Sequence, residues 1–357
     1  MKQNPMTPDF YIATDGDDSW SGRHGEPNQN RTDGPFATFD AAQRAARQLK
    51  EGLETPGESR AITVALRGGE YFLPEPVVFH PEDSGSREYP ITYSSVPGEH
   101  AELTGGRRIT GWRRRDDGAW SVTLPEVRDG TWFFRSLWVD GQRRSRPVLP
   151  KEGTYRVTPA SERSLDSFGY NPGEIDPGWK NRDDVEIVVV QFWTEARLRI
   201  LDIDEDEHLV KFTGSSWRPL SWSKAWFAEN VYEALDRPGE WYLDRGSGEL
   251  TYLALPGEDP NENVVMAPVS ATLIRIEGDH RDERPVEWIT FEGLNLGYTH
   301  WEMPYPHGIS IPQAEIPGKD GVVFAGDLTY GADNPQVAVP VPATFFASGM
   351  RNCSLID

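Results

Sequence analysis

Cysteine is almost missing from this chain of 357 residues, where Cys353 stands alone. That excludes a disulfide framework and any cysteine-based metal site. No stretch reaches eighteen consecutive apolar residues, so no membrane-crossing helix and no membrane insertion are expected. The first residues, Met1-Lys2-Gln3-Asn4-Pro5-Met6, lack the apolar core of a secretory signal. They fit a cytoplasmic protein if Met1 is the true start, and a secreted or periplasmic one if a leader precedes it. The chain has no Gly-x-Gly-x-x-Gly dinucleotide loop, no phosphate loop and no Gly-x-Ser-x-Gly nucleophile elbow. Its seven histidines form no His-x-x-x-His pair, so neither zinc nor any other metal or cofactor is expected.

Positive charge is also scarce. Lys and Arg number 36 against 57 Asp and Glu, a net charge of −21. Nucleic-acid binding needs a basic stripe to neutralise phosphates and is excluded on that ground. A strongly anionic polysaccharide is a less natural substrate, because the summed field repels it. What basic charge there is comes mostly as Arg, grouped at Arg107-Arg108, Arg113 to Arg115 and Arg143 to Arg146.

What the chain does have is 29 Pro, 34 Gly, 13 Trp and 12 Tyr, a composition suited to a β-rich, loop-rich fold. Thr38 is a plausible N-cap, and Phe39, Ala42, Ala46 and Leu49 share one helical face, so a helix is expected here, ending near Gly52. Before it, the acids of Asp15-Gly16-Asp17-Asp18 do not follow the spacing of a calcium loop and read as a turn. From Ile62 on, short apolar runs alternate with Gly and Pro corners: 62–66, 71–72, 77–79, 91–94 and 101–104.

The same rhythm returns at Val286 to Leu296, at Gly321 to Leu328 and at Ala343 to Asp357. Successive coils of a parallel β-helix look like this, and each coil needs a neighbour on both sides to bury its inner face. The pattern is still running at Asp357, so the chain reads as the front part of a longer protein. Between the two zones, residues 120–266 break the rhythm. Phe134 to Arg143 reads as a hairpin turning on Asp140-Gly141, Val185 to Trp193 as a buried strand, and Leu198 to Phe212 and Glu240 to Tyr252 as two more hairpins.

A strand, an Asp-Gly loop and the Gly34-Pro35-Phe36-Ala37-Thr38-Phe39 helix start resemble the N-terminal cap of right-handed β-helix carbohydrate-active proteins. The middle motifs are more specific. Ser136-Leu137-Trp138-Val139-Asp140-Gly141, Phe192 to Ile200, Gly239 to Asp244 and Tyr298-Thr299-His300-Trp301 are, in that order, similar to glycoside hydrolase family 141 and its close relatives. The resemblance covers nearly the whole chain. It implies an all-β protein, a right-handed parallel β-helix with an N-terminal cap helix and an inserted antiparallel β domain. The expected divisions are 1–119, 120–266 and 267–357. It also implies a glycoside hydrolase acting on plant-type polysaccharide or on fucosylated or xylose-containing glycans. Two rival functions are a polysaccharide lyase on the same fold and a non-catalytic carbohydrate-binding or adhesive module.

Two-carboxylate hydrolysis needs a pair of acids that converge in space. No pair in this chain matches the family's, and the catalytic acids are expected beyond residue 357. Glu302, Glu315 and Asp327 are the local acids to test. Sugar binding pairs aromatic faces with planar hydrogen-bonding groups. His300, Trp301 and Gln313 after the 286–296 coil, and Trp193 with Glu195 after the buried strand, are the candidate substrate-binding residues. Trp217, Trp222, Trp226 and Phe227 read first as core and only second as a sugar platform. The expected partner is an oligo- or polysaccharide.

Overall fold

The structure, a computed structural model, describes residues 7–53, 59–158, 164–192, 195–216, 218–300 and 343–357, with the backbone of 309–310 and 329–330. The Gly321–Leu328 run, Trp193, Trp217, Trp301, Gln313, Glu302, Glu315 and Asp327 lie outside the described residues. The chain is predominantly β and divides into two compact units. One takes residues 1–107, 267–300 and 342–357; the other includes 108–266.

In the first unit the chain visits three parallel sheets in rotation. Ile62–Leu66, Gly69–Phe72 and Val77–Phe79 begin one sheet each. Ile91–Ser95 and Ala101–Thr104 then pair in parallel with the first two of these. Ile274–Glu277 pairs with Val77–Phe79, and Ile289–Glu292 and Leu294–Gly297 open the next circuit. Phe345–Ser348 and Ser354–Ile356 continue it on the third and first sheets. Period-2 alternation decides what is buried. Ile62, Ile91 and Ile289 stand in register, as do Val64, Tyr93 and Phe291, and all six are essentially inaccessible. Thr63, Thr92, Thr290 and Ser354 form the matching row between them. The corners use residues that tolerate a left-handed backbone: Gly293 at φ 62° turns Ile289–Glu292 into Leu294–Gly297.

The predicted helix runs Phe39–Leu53. Thr38 Oγ1 accepts the Ala41 N–H at 3.3 Å, the N-cap bond its position called for. Phe39, Ala41, Ala42 and Ala46 are buried in the same core as the parallel strands. Asp18, in the preceding turn, accepts the Ala37 and Thr38 amides at 2.8 and 2.9 Å on one oxygen and the Thr38 hydroxyl at 2.7 Å on the other, so its carboxylate is taken up by the helix start.

The segment 108–266 departs after the Ala101–Thr104 strand and returns before Ile274–Glu277, within one circuit of the parallel sheets. Its six-stranded sheet is antiparallel, in the order Val148–Leu149, Ala225–Glu229, Glu186–Val190, Glu195–Asp204, Leu209–Phe212, Ser167–Gly169. One face of it carries Ile187, Val189, Leu198, Ile200, Val210 and Trp226 into a separate core. Trp226 is fully buried and Trp222 half exposed, so this part of the Trp group divides between core and surface. The Leu137–Val139/Gln142–Arg144 hairpin turns on Asp140 and Gly141 at φ 49° and 75°, as a two-residue hairpin with matched twist requires. The Ser167–Gly169 strand falls inside a segment whose polar composition reads as loop.

Candidate functional site

Alternation along the six-stranded sheet has a second consequence. The face opposite the core carries Glu186 and Val188 on one strand, Glu195, Arg197 and Arg199 on the next, and Phe227 and Glu229 on the third. Cross-strand register puts Glu186 beside both Arg199 and Glu229. Two further arginines close over this face. Arg135 donates through Nε to Glu186 Oε1 at 2.8 Å and through Nη2 to Glu186 Oε2. Arg146 donates to Glu186 Oε1 at 2.9 Å and pairs with Glu229 at 3.1 Å. Arg197 reaches Glu229 at 2.6 Å and Glu186 at 3.3 Å.

Burial alone would raise the Glu186 carboxyl, but Arg146 and Arg135 outweigh it and hold the group at about 2. Glu229 is likewise lowered, burial being overcome by Arg146 and Arg197 against the opposing charge of Glu186. Two carboxylates locked this firmly in the ionised form cannot serve as proton donors near neutrality. The cluster is a positioning lattice, and Glu195 is its exposed edge. Its side chain is 49 % accessible and pairs with Arg197 Nε at 2.7 Å.

In the first unit, the row of side chains facing away from the core on the second parallel sheet holds Glu70, Glu102 and Asn295 in register. Adjacent strands place such neighbours about 4.8 Å apart at the backbone. Burial raises the Glu102 carboxyl, and the neighbouring Glu70 raises it further against a smaller opposing effect of His100. Asn295 Nδ2 donates to His100 Nδ1 at 3.1 Å, tying the row to the imidazole. Phe72, two residues past Glu70 on the same face, is 43 % exposed. A carboxyl raised by burial with a second carboxyl in register beside it is the kind of arrangement that proton-transfer chemistry uses.

His300, by contrast, is buried at 7 % exposure, and its N–H donates to the Ser270 carbonyl at 3.0 Å. Its neighbour Thr299 shares a hydroxyl hydrogen bond with Thr344 at 2.7 Å. Glu195 and His300 belong to different units, and Trp193, Trp301 and Gln313 lie outside the described residues. Sequence reasoning missed both the lattice and the Glu70–Glu102 row. The lattice had a signal in the alternating Glu195-Ala196-Arg197-Leu198-Arg199 and in the Arg143 to Arg146 group. The row had none, because strand register joins residues 32 positions apart.

The comparisons with known proteins bear on this geometry. Residues 118–255 match the family described as the GH141 insertion domain. A solved structure named "Glycoside hydrolase" superposes with a TM-score of 0.69 at 26 % identity, covering 82 % of this chain and 51 % of its own. The chain thus spans about half the length of that glycoside hydrolase. A second, "The complex structure of XylC with xylose", covers 84 % of this chain and 36 % of its own at 16 % identity, but its TM-score of 0.35 is too low to carry an argument. No curated protein matches the chain.

Proposed function

We propose that this chain is the front part of a glycoside hydrolase related to family 141. In this reading the rotating parallel sheets are coils of a right-handed β-helix capped by the Phe39–Leu53 helix, and the 108–266 unit is an insertion between two strands of one coil. The observation that carries it is the likeness to a glycoside hydrolase over four-fifths of the chain, together with a GH141 insertion domain in the middle. The substrate is a plant-type polysaccharide or a fucosylated or xylose-containing glycan. Trp193, Glu195, His300, Trp301 and Gln313 are the residues proposed to contact it.

Hydrolysis of a glycosidic bond by two carboxyl groups requires one protonated acid and one carboxylate, about 5–5.5 Å apart when configuration is retained. Among the described residues, Glu102 and Glu70 are the candidate pair, side by side on neighbouring strands: Glu102, raised by burial, takes the role of acid to the leaving oxygen, and Glu70 that of its partner carboxyl. The test is release of reducing ends from candidate glycans by the longer protein, followed for wild type, E70Q and E102Q. Loss of rate by 10²-fold or more in both variants, with unchanged melting temperature, assigns the pair. Unchanged rates in both place the catalytic acids elsewhere in the protein. Products that absorb in the ultraviolet through an unsaturated end would replace hydrolysis by lyase chemistry.

A further inference from the structure

A cleft in the 108–266 unit is lined by more positive than negative charge. Asn181, left-handed at φ 50°, turns the chain into a single helical turn that carries Asp184 against the Glu195–Asp204 strand. Two arginines converge on one of its oxygens. Arg245 Nη2 lies 3.1 Å and Arg199 Nη1 3.8 Å from Asp184 Oδ1. The side chains of Asp184 and Arg199 are each nine-tenths buried. The Arg245 guanidinium carbon lies over Phe133, 3.8 Å from the ring centroid. The Nε groups of Arg199 and Arg245 are buried and make no hydrogen bond. A buried donor left without an acceptor is costly and rare in native proteins.

These groups line a cleft of about 890 Å³. Counting its charges, Arg182 is matched by Asp183 at 3.9 Å, and nearby Lys180 by Asp244 at 2.7 Å. Arg199 and Arg245 share Asp184, and the Glu186 beside Arg199 is already taken up by Arg135, Arg146 and Arg197, so the lining keeps an excess of one positive charge. Burial raises Asp184 despite both arginines, and burial together with Arg245 lowers Arg199 against the opposing effect of Asp184 and Glu186. The rest of the lining suits a sugar. Thr213 and Asn181 offer polar groups, and Leu201, 59 % exposed, offers an apolar surface.

We propose that this cleft is a binding subsite for a carboxylate-bearing sugar unit, a uronate of the glycan, whose carboxylate is clamped by Arg199 and Arg245. A planar carboxylate matches the guanidinium fork, and its single charge matches the excess. The net charge of −21 does not forbid this. Exposed charges beyond about 8 Å are largely screened at physiological ionic strength, whereas the two buried arginines act at contact distance. The subsite rests on the carbohydrate reading above, but its test is binding, which needs no turnover.

Isothermal titration of this chain with digalacturonate and a glucuronate-containing disaccharide, with the matching neutral disaccharides, and with sulfate distinguishes the outcomes. We expect saturable binding of a uronate disaccharide, at least tenfold weaker binding of the neutral one, and at least tenfold loss in R245Q. R245Q is the informative variant because Arg245 is more than a third exposed, so the fold tolerates the change. R199Q should lose binding similarly wherever its thermal transition is retained. The subsite is overturned if neither uronate binds wild type, if R245Q binds uronate unchanged, or if sulfate binds as tightly as the uronates, which would mark a bare anion hole. Hydrolysis of neutral glycans with no uronate binding would sink the subsite and leave the hydrolase reading standing.

Discussion

Glu186 is the centre of the buried charge lattice in residues 108–266. It is 1 % exposed and accepts from Arg135 and Arg146, with Arg197 at ion-pair distance. Removing one member of such a group leaves its partners as uncompensated buried charges, which typically costs about 3–5 kcal/mol. Glu186→Gln should therefore destabilise by about that amount, read from the midpoint of denaturant unfolding. The same residue sets a pH dependence. Its folded carboxyl lies at about 2 against an ordinary value of 4.5. A depressed carboxyl stabilises the fold fully above its unfolded value and loses that contribution as pH falls towards the folded one. Wild type should lose stability between roughly pH 4.5 and 2, and the loss should be shallower in E186Q; parallel acid titrations of the two proteins would refute the assignment.

At the scale of elements, the parallel sheets are held by aromatic rows that climb from circuit to circuit. Phe291 is fully buried and meets Phe79 at 5.1 Å, Tyr93 at 5.7 Å and Phe345 at 5.4 Å between ring centroids. Its replacement by Ala should cost about 3–5 kcal/mol, the usual range for a buried Phe in a packed core. Phe346, next to Phe345 but 43 % exposed, should cost less than about 1 kcal/mol on the same change. Equal losses in the two variants, measured by urea unfolding, would mean that the strand alternation has been misread. That alternation was plain in the sequence: Val286, Ile289 and Phe291 already stood out as a β run turning at Gly293, and the helix announced itself through Thr38 and the Ala stripe. Less legible was anything that depends on register between distant strands. Glu102 gains its raised carboxyl from burial and from Glu70 on the neighbouring strand, and Glu186 meets Arg135 and Arg146 from segments 51 and 40 residues away. The Ser167–Gly169 strand escaped for a similar reason, because a short polar segment becomes a strand only when Leu209–Lys211 offers it an edge.

For the whole molecule, the consequence of an excursion from one circuit is that its two ends must lie together. They do: the Ile109 N–H donates to the Val265 carbonyl at 2.8 Å, although 156 residues separate them in sequence. Within those ends the unit has its own apolar core, from Phe168 and Ile187 to Trp226 and Val231, and its own buried charge lattice. A segment with adjacent termini and a separate core has what independent folding requires. Residues 108–266 expressed alone should therefore unfold in a single cooperative transition and keep the near-ultraviolet circular dichroism of ordered aromatics such as Trp226 and Trp241. They should also retain uronate binding, since Asp184, Arg199 and Arg245 all lie within them. A fragment that collapses without a cooperative transition would mean that the strands of the first unit are needed to complete its core. A fragment that folds but has lost the uronate would place part of that subsite outside residues 108–266.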